Sequence, residues 1–224
     1  MIEYNDLAQA VIRGFRRNAA GLALVKHPNT YNSDLAYPGA SGGVHAWPFD
    51  RYDGISMVYA DRGTLVHELT ERIDTGTTQV EDLYERGAEI GMEASLIDDI
   101  GLTYKAFRAA HGLTVATLAD GRLCVEVPSV CDVNKIATPI DRVDIHDGNL
   151  VVADIKTSRV ITRAAYAVQL KLCTMTRPYD DESGHRGDWP GTLRTDIAYI
   201  YHLPLTAILQ GEAPVAWDLW KVTL

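Results

Sequence analysis

The first half of the chain alternates between segments with helical periodicity and a segment rich in turn residues. Apolar residues recur at helical spacing in residues 5–25, 63–75, 80–98 and 103–110, which predicts four helices. The apolar positions with this spacing include Leu7, Ala10, Val11 and Phe15 in the first helix, Val66, Leu69 and Ile73 in the second, and Leu83, Ile90, Ala94 and Ile97 in the third. Residues 27–56 are rich in Pro, Gly, Asn, Asp and Tyr, and we expect a long loop there.

The pattern changes near residue 113, where β-rich segments bounded by turn residues begin. Five strands are predicted, at residues 122–130, 138–146, 149–157, 195–203 and 216–224, with a helix over 161–176 and a polar loop over 178–191. Helices, then three strands, a helix and two strands are typical of an α/β domain with a mixed central sheet flanked by helices. We expect a single domain over residues 1–224, mainly helical over 1–112 and with the sheet core over 113–224.

Composition favours a globular protein with reduced thiols. A chain of 224 residues fits one domain better than two. It has no apolar run near the roughly 20 residues that cross a bilayer, and its N-terminus lacks the apolar stretch of a secretory signal. Cys124, Cys131 and Cys173 are odd in number and widely spaced, which argues against a disulfide framework and a CxxC metal site. We therefore expect a soluble, cytoplasmic protein without membrane partners.

The formal net charge of −9 counts against an extensive nucleic-acid surface. It does not exclude a metal-dependent enzyme that acts on nucleic acid, because metal ligands are acidic and bound divalent cations reverse the local sign. A local basic group near the N-terminus either binds a polyanion or forms a solvated helix face; its members are Arg13, Arg16, Arg17 and Lys26.

Residues 138–158 carry the most informative pattern. Asp147-Gly148 is a strong signal for a two-residue hairpin turn, which places His146 opposite Asn149. If the register continues, Asp141 lies opposite Asp154. Because side chains alternate along a strand, both carboxylates then share one face with Lys156 and with the apolar residues nearer the turn, which are Val143, Ile145, Leu150 and Val152.

Two like charges opposite each other at the border of an apolar face destabilise a sheet. A divalent cation between Asp141 and Asp154 removes the repulsion and supplies a function. Lys156 lies on the same face, where its ammonium can stabilise developing negative charge or a nucleophilic water. The alternative is a surface hairpin whose carboxylates point to water, since Asp-x-Lys alone is a weak signal.

These residues resemble the PD-(D/E)XK nuclease superfamily, whose core pattern is matched by Pro139-Ile140-Asp141 and then Asp154-Ile155-Lys156. The RecB-like exonuclease branch, with its phage-encoded and CRISPR-associated members, is the most similar. Its Gly-x-x-x-His signature is matched by Gly63 to His67, its hairpin motifs by TPIDRV and VVADIKT, and its downstream Gln by Gln169. The resemblance covers roughly residues 60–205, and its motifs are specific in their order and spacing rather than singly.

The resemblance implies a restriction-endonuclease-like core that hydrolyses DNA phosphodiester bonds with Mg²⁺ or Mn²⁺. The implied metal ligands are His67, Asp141, Asp154 and the carbonyl of Ile155. Lys156 would position or activate the attacking water, Glu126 would bind a second metal or its water, and Gln169 would orient Lys156 or a phosphate. Exonuclease action, a role in DNA recombination, repair or phage replication, and recombination or replication proteins as partners are implied in the same way. A phage-encoded member would act in the host cytoplasm.

The chain departs from the family pattern at several positions. Cys173 stands where the branch often has Tyr, four residues after the Gln, and Thr138 stands where the hairpin motif has Gly. CRISPR-associated members hold an iron–sulfur cluster with four cysteines, whereas this chain has three, so we expect no cluster. Glu71 is expected to be solvated or to lie behind the ligands, and Tyr166 to be either a wall of the site or part of the core.

Two other functions stay open from the sequence. The first is a catalytically inactive DNA-binding or assembly subunit with the same fold, against which the intact Asp141, Asp154 and Lys156 argue. The second is a metal-dependent hydrolase of another phosphate substrate, which the acidic composition slightly favours.

Overall fold

The computed structural model describes residues 57–134, 136–180 and 183–224, without the side chain of Met57. The predicted helix over 5–25, the predicted loop over 27–56 and the basic group near the N-terminus lie outside the described residues. Among the helices in the described ranges, none combines the length and the apolar character needed to traverse a membrane.

Within the residues that the structure describes, three helices precede the sheet: α1 over Met57–Thr75, α2 over Glu81–Glu89 and α3 over Ala94–Ala110. The helix predicted over 63–75 is confirmed as the larger part of α1, which begins earlier. Two of its predicted inward residues, Val66 and Leu69, are buried, and Ile73 packs against the same apolar cluster.

The boundaries predicted for the next two helices, 80–98 and 103–110, are wrong. The chain leaves the helical conformation after Glu89 and resumes it at Ala94, so that α3 includes both the end of one predicted helix and all of the other. Gly91 has a φ of 73°, the left-handed conformation that commonly follows a helix end and that glycine adopts without strain. Leu83 and Ile97 are buried in one cluster on either side of this break, which is why their spacing resembled a continuous helix.

Seven strands form one sheet in the order β5-β2-β3-β4-β6-β7, with β1 paired to β3. The strands are β1 over Thr114–Val115, β2 over Val125–Cys131, β3 over Ile136–His146, β4 over Asn149–Lys156, β5 over Arg177–Pro178, β6 over Ile197–His202 and β7 over Asp218–Thr223. The described pairs are antiparallel except β4 with β6, which is parallel. The predicted α/β class with a mixed sheet is therefore confirmed. Strands β1 and β5 were not predicted, because each has only two residues and so shows no alternation of apolar and polar positions.

The turn of the β3–β4 hairpin agrees with its prediction. Asp147 and Gly148 have φ values of 49° and 72°, as expected for a two-residue turn with both positions left-handed. His146 pairs with Asn149, and the register continues along the strands. Ile145, predicted to face the core, is instead 40% exposed because it lies near the turn.

The hairpin ladder ends one residue before the two predicted metal-binding carboxylates. Its last pair is Arg142 opposite Ala153. Two residues beyond Ala153, Ile155 donates its N–H to the carboxylate of Asp141 at 2.8 Å. The Asp141 side chain thus accepts the N–H of Ile155 on β4. Asp141 and Asp154 therefore lie beyond the end of the ladder and do not pair with each other in it.

The two faces of the sheet bury separate cores. One core packs Val143 and Val152 against helix α4 over Arg163–Cys173, which is shorter than the predicted 161–176. The other core packs the alternate residues of β4 against α1, α2 and α3. A further helix, α5 over Leu205–Leu209, was not predicted, since its five residues are too few to show helical periodicity.

Candidate metal centre

Three side chains from separate elements converge at the end of the hairpin ladder. His67 comes from α1, Glu126 from β2 and Asp141 from β3, and one nitrogen or oxygen atom of each lies within 4.8 Å of the others. His67 Nδ1 is 3.5 Å from Glu126 Oε1 and 3.5 Å from Asp141 Oδ2, at the outer limit for hydrogen bonds. These residues are called the three-residue cluster below.

His67 reaches the cluster because α1 passes close to the end of β4. A Cβ atom on Gly63, one turn before His67, would lie 3.1 Å from Thr157 Oγ1, so a glycine allows the close approach. On the next turn, the Thr70 hydroxyl donates to the carbonyl of His67 at 2.8 Å. The spacing of glycine and histidine therefore has a packing reason in this fold.

Glu126 has an unusual backbone for a strand residue. Its φ is 47°, in the left-handed region, although its neighbours Val125 and Val127 both pair with β3. Such a conformation costs a non-glycine residue about 1–3 kcal/mol, and it persists where the surrounding structure imposes it. Glu126 Oε1 is also buried, and no described group donates a hydrogen bond to it. A cation beside this oxygen would offset the cost of its burial.

Asp154 belongs to a second group of residues next to the three-residue cluster. Its Oδ2 is 2.6 Å from Lys156 Nζ, and its Oδ1 accepts a hydrogen bond from Gln169 Nε2 at 3.1 Å. Asp141 instead accepts the N–H of Ile155. The assignments of Asp154 and of the Ile155 carbonyl as metal ligands stay predictions.

Lys156 is held between Asp154 and an aromatic ring. Its Nζ lies 5.1 Å from the centroid of the Tyr166 ring, a cation–π geometry. Tyr166 also packs against the core beneath α4, and its hydroxyl is 3.5 Å from Ser158 Oγ. It is therefore both a wall of the site and a part of the core.

Burial and the neighbouring charges shift the pKa values of the groups in the site. Burial raises the pKa of Asp154 to about 6, Lys156 opposes this increase and Asp141 adds to it. Burial lowers the pKa of Lys156, but the two aspartates outweigh that effect and the pKa is raised. Burial also lowers the pKa of His67. Asp141 and Glu126 raise it by more, so the net shift of this pKa is upward.

A buried ionic network lies behind the three-residue cluster. Arg142 is fully buried, and its Nε is 2.6 Å from Asp74 Oδ2. Arg108 is 2.6 Å from Asp144 and 3.3 Å from Asp74. The hydroxyls of Tyr104 and Tyr201 donate to Asp74 and Asp144, respectively. Two arginines and two aspartates balance in charge, as buried ions require.

The ionic network was missed in the sequence although a signal for it was present. Strand alternation places Arg142 and Asp144 on the face of β3 opposite Asp141. That face packs against the helices, where charged side chains must find partners. The partners Asp74 and Arg108 come from α1 and α3, and no sequence spacing links them to the hairpin.

The remaining candidate residues lie around the site. Glu71 is half-buried on α1, and burial together with the charge of Glu126 raises its pKa. It lines an open polar cleft with Glu68, Arg72, Thr75, Thr77, Gln79 and Asp82. All three cysteines are buried and free. Burial, followed by the charge of Asp154, raises the pKa of Cys173.

Two carboxylates and an imidazole suit a divalent cation such as Mn²⁺, and the carboxylate oxygens also suit Mg²⁺. The buried oxygen of Glu126 without a donor fits such an ion. Comparison with known proteins adds no assignment, because no protein-family model and no curated protein matches the chain.

Proposed function

We propose that the protein is a metal-dependent DNA nuclease, acting as an exonuclease, with its centre at the three-residue cluster. The observation that carries this proposal is the convergence of His67, Glu126 and Asp141 beside the Asp154–Lys156 pair. The sequence resemblance to PD-(D/E)XK nucleases assigns these same residues to the site. The buried oxygen of Glu126 accepts no described hydrogen bond, and the nitrogens of His67 and Arg142 stay 3.5 Å from it, which supports a cation site there.

The order of elements supports a restriction-endonuclease-like core in this proposal. Helix α1 contributes His67, the antiparallel strands β2, β3 and β4 contribute the acids and Lys156, and α4 contributes Gln169. The following strand β6 then pairs parallel to β4. The functional side chains thus meet where α1, α4 and the hairpin come together.

In the proposed reaction, water attacks the phosphorus atom of a DNA phosphodiester and the bridging oxygen leaves. His67, Glu126 and Asp141 would hold Mg²⁺ or Mn²⁺, with Asp154 as a further candidate ligand. When bound, the ion would supply Lewis-acid polarisation of the phosphate and an activated water at neutral pH.

The chain's own residues would orient and stabilise the reacting phosphate. The pKa of Lys156 is raised, so the side chain stays protonated and acts as a cation rather than as a base. Its ammonium would stabilise the negative charge that develops on the phosphate oxygens. Gln169 donates to Asp154 and so fixes the carboxylate that holds Lys156. Gln169 is therefore a positioning residue in this scheme.

The proposal is tested by the release of acid-soluble nucleotides from end-labelled linear DNA, with Mn²⁺, with Mg²⁺ and with a chelator. The informative variant is Asp141→Asn, which removes one carboxylate of the three-residue cluster. Asp147→Asn is its matched control, because it makes the same chemical change on the same hairpin at the exposed turn. We expect metal-dependent release by the wild type and by Asp147→Asn, and none by Asp141→Asn.

A small phosphodiester, bis-p-nitrophenyl phosphate, serves as the second substrate. Hydrolysis of this compound but not of DNA would favour the alternative of a hydrolase acting on other phosphates. DNA binding without cleavage of either substrate would favour the inactive assembly subunit. Equal DNA cleavage by wild type and Asp141→Asn would contradict the assigned centre.

A further inference from the structure

A buried guanidinium lies directly under the three-residue cluster. Arg142 Nη1 donates to the carbonyl of Asp141 at 2.5 Å and is 3.5 Å from Glu126 Oε1. Its Nη2 donates to Thr70 Oγ1 at 3.0 Å, and that hydroxyl in turn donates to the carbonyl of His67. Arg142 therefore connects to all three cluster residues, either directly or through one hydroxyl.

The guanidinium is itself firmly anchored. Its third nitrogen, Nε, donates to Asp74 Oδ2 at 2.6 Å, and the side chain has no exposed surface. Asp74 also accepts a hydrogen bond from Tyr104 at 2.8 Å and lies 3.3 Å from Arg108. Because a guanidinium is planar, its donors point in fixed directions, whereas the ammonium of a lysine is a point charge on a flexible stem.

We propose that Arg142 is a positioning residue for the metal centre. Its donors hold the backbone of Asp141 and the His67 turn of α1 in the arrangement that accepts the cation, and its positive charge lies 3.5 Å from Glu126 Oε1. The inference rests on the proposed function for the identity of the ligand. The arrangement itself is a property of the metal-free chain and can be measured without metal.

The structure offers a matched control for the cost of disturbing a buried arginine. Arg108 is also buried and also lies beside Asp74. Its described hydrogen bonds go to Asp144 and Tyr104, and none goes to a residue of the three-residue cluster. Arg142→Lys and Arg108→Lys both keep the charge and replace a buried guanidinium beside Asp74, but only the first removes donors that bind the cluster or Thr70.

The test measures the dissociation constant of Mn²⁺ by calorimetry and by the electron paramagnetic resonance signal of the bound ion, well below the melting temperatures. Changing a residue that orients metal ligands typically weakens binding about 10–100-fold, and we expect such a loss for Arg142→Lys. Arg108→Lys should keep the wild-type constant and spectrum within a few-fold. Equal Mn²⁺ binding by the two lysine variants would overturn the proposal.

A second pair of variants covers the case in which Arg142→Lys does not fold. Thr70→Val removes the hydroxyl between Arg142 and His67 at nearly constant shape, and Thr70→Ser retains it. Weaker Mn²⁺ binding by the valine variant, with rescue by serine, supports the positioning role. Unchanged binding by both contradicts it.

The resonances of the His67 imidazole in the metal-free protein separate this inference from the proposed function. If the wild type binds no Mn²⁺, the proposed function fails. The positioning role then stands only if Arg142→Lys and Thr70→Val shift these resonances while Arg108→Lys and Thr70→Ser leave them in place. Resonances that stay unchanged in all four variants overturn it.

Discussion

Glu126 and Lys156 illustrate two ways in which single residues of the site deviate from ordinary behaviour. Glu126 combines a left-handed φ of 47° with a buried oxygen that lacks a donor, so its present position costs free energy. Lys156 is bound to Asp154 and to the ring of Tyr166, which fixes one conformation of a flexible side chain. Both deviations occur at the candidate metal centre.

Lys156→Ala is expected to abolish turnover and to spare Mn²⁺ binding. The ammonium belongs to no set of ligands, so its loss falls on the rate of the chemical step. Removing a group that stabilises transition-state charge typically lowers kcat about 100-fold or more. Steady-state kinetics on linear DNA, with Mn²⁺ titrations of both proteins, provide the measurement. Activity within a few-fold of wild type would remove Lys156 from the mechanism.

Asp154→Asn is expected to stabilise the metal-free protein at pH 7.5. The pKa of Asp154 is raised to about 6, so the fold disfavours its charged form, and each pKa unit corresponds to about 1.4 kcal/mol. Between the ordinary pKa of an aspartate and pH 6, the folded chain binds the proton more tightly than the unfolded chain. The wild type therefore loses this part of its stability as the pH rises through that window.

Chemical denaturation of both proteins at pH 5 and pH 7.5 measures this effect. The asparagine variant should gain most over the wild type at pH 7.5, by about 1 kcal/mol or more, and the difference should shrink at pH 5. A variant that is less stable than the wild type at pH 7.5 would show that the ion pair with Lys156 outweighs the burial of Asp154.

At the scale of elements, the site depends on how closely α1 approaches the end of β4. Gly63 faces the side chain of Thr157 without an intervening Cβ, and His67 follows one turn later on the same helix. Helix α4 covers the neighbouring part of the sheet and supplies Gln169 to Asp154. Small displacements of either helix relative to the hairpin would therefore move side chains of the candidate site while leaving the sheet intact.

Gly63→Ala is expected to weaken Mn²⁺ binding several-fold without loss of stability. Alanine in a helix interior is favoured over glycine by about 1 kcal/mol, but the new methyl group would lie 3.1 Å from Thr157 Oγ1 and would push α1 outward. The double variant Gly63→Ala/Thr157→Ala relieves the contact and should restore binding. Gly101→Ala on α3, whose new Cβ would lie 3.3 Å from Ile73 Cδ1 near the other end of α1, is the control. Failure of the double variant to recover would argue against the close approach as the cause.

At the scale of the whole molecule, the three-residue cluster exists only in the folded state. His67, Glu126 and Asp141 come from three elements, and the ionic network of Arg142, Asp74, Arg108 and Asp144 connects two of the helices to the sheet beneath them. A cation that binds the cluster therefore stabilises the fold as a whole.

Mn²⁺ at a hundred times its dissociation constant is expected to raise the free energy of unfolding by about 2.7 kcal/mol, or the melting temperature by roughly 5–10 °C. Melting curves with and without Mn²⁺ provide the measurement, and a chelator should reverse the shift. Asp147→Asn should keep the shift and Asp141→Asn should lose it. A full shift in Asp141→Asn would place the ion elsewhere.

The amino-acid sequence by itself determined the features that depend on local conformation and on periodicity. The Asp147-Gly148 turn fixed the register of the β3–β4 hairpin, because few backbone conformations close a two-residue turn. Alternation along the strands separated the two core faces. Where helical periodicity ran across a break, at Gly91, the same local reasoning gave the wrong boundaries, since the buried residues on both sides happened to keep the helical spacing.

Only the tertiary structure decided which residues meet. Glu126 was suggested by resemblance, but its left-handed backbone and its approach to His67 depend on β2 pairing with β3 while α1 packs across them. Asp154 bonds to Lys156 and Gln169 instead of pairing with Asp141 in the ladder, because the Asp141 side chain takes the N–H of Ile155. These contacts join residues far apart in the chain, and their geometry follows from the packing of whole elements, which no local pattern encodes.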